Sequence, residues 1–136
     1  MFYARHPSDQ ELIQQAVNDS LEASRRGQPG GVLDLLSKQF TVNQSAGPDT
    51  SQIADYIRKY KPDIQLENHK ALITGDEARI VTAVDLGLLG QTARLNDVML
   101  VFRKEEGHGF LFLPTPKWQL TDVRLSEAQV PVMNGP

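Results

Sequence analysis

The hydrophobic pattern changes its period at Pro62, and this change constrains the fold more than any other feature of the sequence. Before Pro62, apolar residues recur every three or four positions, as they do on one face of an α-helix. After Pro62, the pattern becomes strand-like over several stretches. Helices followed by a run of strands predict an α+β fold, in which N-terminal helices pack on one face of a curved antiparallel sheet.

Three helices are predicted in the first half of the chain. The first has a capping box at Ser8-Asp9-Gln10-Glu11, where the serine hydroxyl and the glutamate carboxylate bind free amides at the helix start. Gly27 is a natural end for this helix. The second helix is predicted at residues 29–38. The third begins near Asp49, carries an apolar and aromatic stripe, and ends at Pro62.

Five strands are predicted around and after the third helix, at residues 40–43, 64–74, 77–88, 97–104 and 117–125. Gly75-Asp76 is a tight turn of the kind that joins antiparallel strands. The predicted organisation is an N-terminal arm at residues 1–7, one domain at residues 8–125 and a loose C-terminal tail at residues 126–136.

Composition excludes several classes of function. The formal net charge is −3. A protein that binds nucleic acid usually has a basic surface that replaces the counterions on the phosphates, so no nucleic-acid partner is expected. The absence of cysteine excludes disulfides and thiolate sites. No apolar run is long enough to span a membrane. No signal segment is visible at the start, which predicts a cytoplasmic protein, or a periplasmic or cell-envelope protein if Met1 replaces a removed signal.

The histidines and glycines predict neither a metal site nor a cofactor. His6, His69 and His108 are far apart and lack the spacing of metal ligands. His69 and Glu67 occupy alternate strand positions, where they form either an acid–base pair or an ordinary polar surface. The sequence has no G-x-S-x-G nucleophile motif and no phosphate-binding glycine loop.

Several segments carry a resemblance to a known superfamily. They are R-G-Q-P-G-G-V-L-D-L-L-S-K-Q-F-T-V-N at residues 26–43, S-Q-I-A-D-Y-I at 51–57, G-D-E-A-R-I-V at 75–81, and the closing V-F-R-K-E-E-G and W-Q-L-T-D-V-R. With the order of helices and strands, they resemble the nuclear-transport-factor-2-like superfamily. It includes ketosteroid isomerases and many bacterial proteins without assigned function. The resemblance implies a cystatin-like cone around one pocket, and frequent dimerisation through the outer face of the sheet.

The resemblance also locates the positions that carry ketosteroid-isomerase chemistry. That chemistry needs a carboxylate base and two protonated donors, a tyrosine and a neutral carboxylic acid. The corresponding residues here are Gln44, Ser20 and Val98; glutamine cannot take a proton at neutral pH, and valine donates no hydrogen bond. Asp97 is one position away and would face the other side of the sheet unless a bulge intervenes. Chemistry of this type is therefore not expected.

The same alignment predicts which residues line the pocket. They are Ser20, Gln44, Tyr56, Thr82, Val84, Val98 and Leu100. This mostly apolar lining suits a small apolar or weakly polar ligand, although a filled core with no ligand fits the same residues. The leading hypothesis is a non-catalytic small-ligand-binding protein. The alternatives are an isomerase, dehydratase or cyclase with an unidentified acid–base pair, and a protein-interaction accessory domain.

The opposite face of the sheet is predicted to form a homodimer. Its residues include Val81, Ala83, Met99, Val101 and Trp118. This set is too apolar for a face in water, and aromatic and methionine residues are enriched at interfaces. The apolar run at residues 110–113 is predicted to extend the interface or to cover the mouth of the pocket.

Overall fold

A computed structural model describes residues 7–107 and 115–126. In this part of the chain it contains α1 (Asp9–Arg25), α2 (Pro29–Leu33), β1 (Leu36–Val42), β2 (Ser45–Ala46), α3 (Thr50–Tyr60), β3 (Asp63–Leu66), β4 (Leu72–Thr74), β5 (Glu77–Leu88), β6 (Gln91–Gly107) and β7 (Thr115–Arg124). Residues 1–6 of the predicted arm, the run at 110–113, and residues 127–136 of the predicted tail lie outside the described residues.

All seven strands belong to one sheet. Their order is β2-β1-β7-β6-β5-β3, and β4 lies beside the start of β5. β1 and β7 are parallel, whereas the other described pairs are antiparallel. The predicted α+β fold, with N-terminal helices on a curved sheet, is confirmed; the parallel pair is the departure from an all-antiparallel sheet.

The helix starts follow the predicted chemistry. The Ser8 hydroxyl accepts a hydrogen bond from the Glu11 main-chain N–H at the start of α1. Asp49 caps α3, where its carboxylate accepts from the Gln52 N–H and the Gln52 side chain binds back to the Asp49 N–H. These local bonds satisfy amides that the helices leave free, so the sequence alone was enough to locate both starts.

Helix α1 packs against one face of the sheet, which we call the inner face. Ile13 and Val17 on α1 are buried there against residues from three neighbouring strands. The sheet side of this core consists of Ala78 and Ile80 on β5, Phe102 on β6, and Trp118 and Leu120 on β7. The core therefore runs across the middle of the sheet beneath a single long helix.

Helix α2 is shorter than predicted because the chain joins the sheet earlier. The predicted helix covered residues 29–38, but α2 ends at Leu33 and β1 already begins at Leu36. The Leu35 carbonyl accepts a hydrogen bond of 2.7 Å from the Leu120 N–H, and Leu36 pairs with Leu120. Pairing with β7 thus overrides the helical spacing of the leucines, and β1 starts four residues before its predicted position.

The strand predicted at residues 64–74 is two strands separated by a loop. Asn68 lies in the loop, where its N–H donates to the Thr82 hydroxyl at 2.8 Å and its side chain donates to the Val81 carbonyl at 3.0 Å. The Gln10 side chain makes two hydrogen bonds of 2.8 Å to the backbone of Ala71. These bonds hold the loop against β5 and α1, which the hydrophobic pattern does not reveal.

Two bulges shift the alternation of the antiparallel strands β6 and β7. Thr82 pairs with Val98 but Val84 pairs with Leu95, so β6 contains one extra residue between them. In β7, Thr121 is an extra residue, because Val101 pairs with Asp122 while Phe102 pairs with Leu120. Two residues on opposite sides of a bulge therefore lie on the same face of the sheet when they are an odd number of positions apart in the sequence. In a regular strand this separation is even.

Helices α1 and α2 approach each other closely at Gly31. A β-carbon added at Gly31 would lie 2.5 Å from the Ala23 β-carbon on α1, which is well inside van der Waals contact. A β-carbon added at Gly30, one residue earlier, would meet no described atom within 4 Å apart from its chain neighbours and the backbone of its own helix. Only the second of these glycines is therefore required by the packing of the two helices.

We expect Gly31→Ala to lower the free energy of unfolding by about 1–3 kcal/mol, because the added methyl group forces α1 and α2 apart. Gly30→Ala is the matched control and should leave stability unchanged or raise it by up to about 1 kcal/mol, since alanine favours helix. Urea unfolding followed by circular dichroism measures both. Equal effects of the two substitutions would contradict the close approach.

Candidate functional site

The inner face of the sheet is fully buried at one end only. Ala78, Ile80 and Thr82 on β5 are shielded from solvent, as are Val98 and Phe102 on β6. We call these five residues the closed end. Ala78 lies opposite Phe102 and Thr82 lies opposite Val98, whereas Ile80 pairs with Leu100, which is only half-buried. Ala78, Ile80 and Phe102 belong to the core cluster that includes the apolar residues of α1.

The same face continues beyond the closed end as a row of partly exposed aliphatic residues. We call this region the open end; it consists of Ile64 on β3, Val84, Leu86 and Leu88 on β5, and Leu95 on β6, all half-buried. Their strand pairing places Val84 opposite Leu95, and Ile64 opposite Leu86. The chain thus presents a strip of apolar surface that its described residues only partly cover.

Four of the predicted pocket residues lie together on the inner face. Thr82, Val98 and Leu100 are at or beside the closed end, and Val84 is at the open end. The Thr82 hydroxyl is already engaged, since it accepts from the Asn68 N–H and donates to the Ala83 carbonyl at 2.8 Å. The hydroxyl therefore anchors the loop after β3, and its donor is not free for a ligand.

The remaining three predicted pocket residues lie elsewhere. Ser20 is buried on α1. Tyr56 is partly exposed on α3, where its ring centre is 4.9 Å from that of Tyr60. Gln44 lies in the turn between β1 and β2 and lines a groove on the opposite face of the sheet, together with Asp122. The structure therefore does not gather the seven residues around one cavity.

Asp97, the possible substitute for a catalytic acid, lies at the bulge of β6. Its backbone adopts a left-handed conformation, with φ of 56°, and its side chain is exposed to solvent. The bulge thus turns Asp97 towards water, whereas the neighbouring Val98 is buried in the sheet.

Two aspartates with lowered pKa values stabilise the fold. The indole N–H of Trp118 donates to Asp9 at 3.0 Å and lowers the pKa of that carboxyl, with a further contribution from Lys104. The Ser51 hydroxyl and the Gln52 N–H lower the pKa of Asp49 at the start of α3. Both shifts favour the charged form, whereas proton transfer needs a pKa near the working pH.

The proposed partner residues Glu67 and His69 have different neighbours. The Glu67 carboxylate accepts a hydrogen bond of 3.0 Å from Arg94, which also binds Asp85, and these two acids raise the pKa of Arg94. His69 instead lines a groove between α1 and β3. The geometry thus favours the reading of these residues as polar surface.

No three histidine, aspartate or glutamate side chains among residues 7–107 and 115–126 are arranged to hold a metal ion. His6 and His108 lie outside those ranges. The helices in the described part of the chain are all too short or too polar to cross a membrane.

The outer face of the sheet differs from its prediction at Trp118. This side chain is only 2% exposed and belongs to the core on the inner face, where it lies opposite Lys104. Assignment of Trp118 to the outer face was therefore wrong, because the extra residue Thr121 reverses the alternation of β7. Val101 does lie on the outer face, but neighbouring groups of its own chain already bury it to 4% exposure.

Asp122 is the buried charge of the outer face. Its carboxylate accepts hydrogen bonds from the Thr41 hydroxyl at 2.6 Å, the Gln44 N–H at 3.1 Å and the Arg124 guanidinium at 2.9 Å. Desolvation raises the pKa of Asp122, but the three donors outweigh it, so the pKa lies below the ordinary value of 3.8. The carboxylate thus ties the β1–β2 turn to β7.

No protein-family model and no curated protein matches the sequence. Solved structures do match the fold. An NTF-2 like protein of unknown function from Shewanella oneidensis has a TM-score of 0.61 at 15% identity, over 86% of this chain and 98% of that chain. An NTF2-like superfamily protein from Salmonella enterica has a TM-score of 0.58 at 18% identity, over 93% and 96% of the two chains.

A Δ5-3-ketosteroid isomerase from a Mycobacterium species also matches, with a TM-score of 0.55 at 13% identity, over 84% of this chain and 91% of that chain. The chain therefore has the nuclear-transport-factor-2-like fold, and the fold that its sequence resemblance implied is confirmed. Identities this low establish the fold and not an activity.

We expect Asp122→Asn to lower the free energy of unfolding at neutral pH by about 1–3 kcal/mol, because three hydrogen-bond donors lose a charged acceptor. The folded pKa of Asp122 is lowered, so its contribution is present above the unfolded pKa and disappears as pH falls through the folded value. Stability of the wild-type chain should therefore decrease more than that of the variant below about pH 4.

Thr41→Val is the control for this prediction. It removes one donor but keeps the carboxylate, so the acid-induced loss should persist and move to higher pH. Urea unfolding across the acidic range measures all three proteins. Parallel pH profiles of the wild-type chain and Asp122→Asn would contradict the assigned role.

Proposed function

We propose that this chain is a non-catalytic binding protein, which takes a small apolar or weakly polar ligand at the open end of the inner face and acts as a homodimer. The observation that carries the proposal is the change in burial along one face of the same two strands. Ile80 is completely buried, whereas Leu86, six residues further along β5, is only half-buried.

Partial exposure of the open end supports a ligand with an apolar body. Each square ångström of apolar surface removed from water contributes about 25 cal/mol, so a ligand that covers these aliphatic side chains gains affinity from them. Ligand pockets are typically apolar surfaces with few polar groups. The side chains of Val84, Leu86, Leu88 and Leu95 offer no hydrogen bond, which favours an uncharged molecule.

The side chains of the inner face support binding without catalysis. The resemblance assigns Ser20, Gln44 and Val98 to the positions where ketosteroid isomerases carry their catalytic groups; a glutamine and a valine cannot supply the base and the acid, and Gln44 lines a groove on the other face. The aliphatic residues of the open end neither donate nor accept protons. The described aspartates with shifted pKa values are engaged in stabilising contacts, so they offer no poised acid or base.

Val84→Gln should weaken binding of an uncharged apolar probe, such as N-phenyl-1-naphthylamine, by about tenfold, because a ligand would bury an amide without a partner. Val81→Gln is the matched control, because Val81 is on the same strand but faces the other way. This variant should bind the probe as the wild-type chain does. Fluorescence titration measures both. No binding by the wild-type chain, or equal loss in both variants, would contradict the site.

The outer face supports the homodimer through a smaller patch than the sequence predicted. Val81 is 48% exposed there, and the neighbouring strand β4 adds Leu72 at 69%. Met99 lies opposite Val81 and contacts Arg79, with 3.9 Å between its sulfur and the guanidinium. Apolar side chains surrounded by charged ones are typical of the centre and rim of an interface.

Replacement of both Leu72 and Val81 by glutamate should convert a wild-type dimer into a monomer, because it places charges at the centre of the apolar patch. Leu89→Asn is the control. Leu89 is exposed at the β5–β6 turn, where its left-handed φ of 53° suits asparagine better, so this variant should stay dimeric and become more stable. Sedimentation velocity gives the result; a wild-type monomer at micromolar concentration would refute the dimer.

A further inference from the structure

A separate cavity of about 240 Å³ lies between α1, α2 and the start of β7. One part of its lining is apolar and consists of Leu12 and Ala16 on α1, Leu35 after α2, and Trp118 on β7. None of the open-end residues lines it. Its volume is below the roughly 300–1,000 Å³ of sites for drug-sized ligands, so it suits a smaller molecule.

The other part of the lining is polar and carries a net negative charge. It consists of Gln15 and Asp19 on α1, Asp34 after α2, and Lys117 on β7. The Lys117 ammonium lies 2.6 Å from the Asp34 carboxylate and neutralises it. Two carboxylates and one ammonium leave one negative charge in excess.

Asp19 is the carboxylate that carries this excess. Within residues 7–107 and 115–126 it makes no hydrogen bond or ion pair, and the same holds for the carboxamide of Gln15. The two side chains lie four residues apart on α1, which places them on one face of the helix. The cavity therefore combines an unpaired negative charge, a free amide and an apolar wall.

We infer that this cavity binds a small primary amine with a short apolar body. The ammonium group would lie at Asp19, where it neutralises the unpaired carboxylate, and the Gln15 carbonyl would accept one of its hydrogen bonds. The apolar body would contact Leu12, Ala16 and Leu35. The ion pair between the Lys117 ammonium and the Asp34 carboxylate is an example of the same interaction at the rim of this cavity.

The shape and chemistry of the lining select an amine over other ligands. An anion would meet the excess negative charge, and a neutral molecule would gain no attraction from the exposed Asp19 carboxylate. A bare metal ion prefers several oxygen ligands and gains nothing from an apolar wall. This site rests on residues other than those of the open end, so either one can fail without the other.

The test is a titration of the isotope-labelled chain with 2-phenylethylamine, followed by amide chemical shifts in two-dimensional NMR. The neutral 2-phenylethanol and the anionic 3-phenylpropionate have bodies of similar size and serve as matched ligands. The amine should shift the amides around Asp19 and Asp34 in a saturable manner, the alcohol should bind about two- to fivefold more weakly, and the acid more weakly still.

Asp19→Asn separates the charge from the apolar wall. Asp19 is on the exposed side of α1, so the variant is expected to fold. It should bind the amine about two- to fivefold more weakly and no longer distinguish amine from alcohol. Asp55→Asn removes an exposed carboxylate of α3 that pairs with Arg58, and should leave amine binding unchanged.

Three results would overturn the inference: equal affinity for the amine and the alcohol in the wild-type chain, unchanged amine affinity in Asp19→Asn, or shifts confined to another surface. A change in the shifts around Leu86 and Leu95 alone would assign the amine to the open end and would likewise refute this cavity.

Discussion

Burial of α1 against the inner face of the sheet is the interaction on which the rest of the structure depends. Ile13 on the helix and Ile80 on β5 are completely buried in the same core cluster. Full burial of one such side chain stabilises the fold by about 1.5–3 kcal/mol. The helix is also joined to the sheet by Asp9, which accepts from Trp118 and pairs with Lys104 at 3.2 Å. This contact closes one end of the inner face and leaves the other end less covered.

Two extra residues, one in β6 and one in β7, then decide which side chains of these strands face the helix. The bulge of β7 turns Trp118 inward while Asp122 faces outward, so one strand supplies both a core aromatic and a buried surface carboxylate. The bulge of β6 turns Asp97 to solvent and keeps Val98 in the core. Each insertion reverses the two-residue alternation, so small changes in strand pairing have large consequences for the character of each face.

The two regions that we assign to ligands differ in charge rather than in apolar content. The open end is aliphatic, and its side chains offer no hydrogen bonds. The cavity between α1 and α2 also has an apolar wall, formed by other residues, and adds Asp19, Asp34 and Lys117, which pairs with Asp34. Electrostatics therefore separates the two ligand classes, since apolar contact alone would let one molecule bind at both places.

The sequence by itself determined the three helices, the strand-rich second half of the chain, the capped starts of α1 and α3, and the superfamily resemblance. Caps and periodicity are local, so Ser8 and Asp49 act in the same way whatever the rest of the chain does. Only the tertiary structure decided the end of α2, the inward position of Trp118, and the separation of Gln44 from Thr82. These depend on which backbone groups pair across the sheet, and a single extra residue in one strand changes them without altering the hydrophobic pattern.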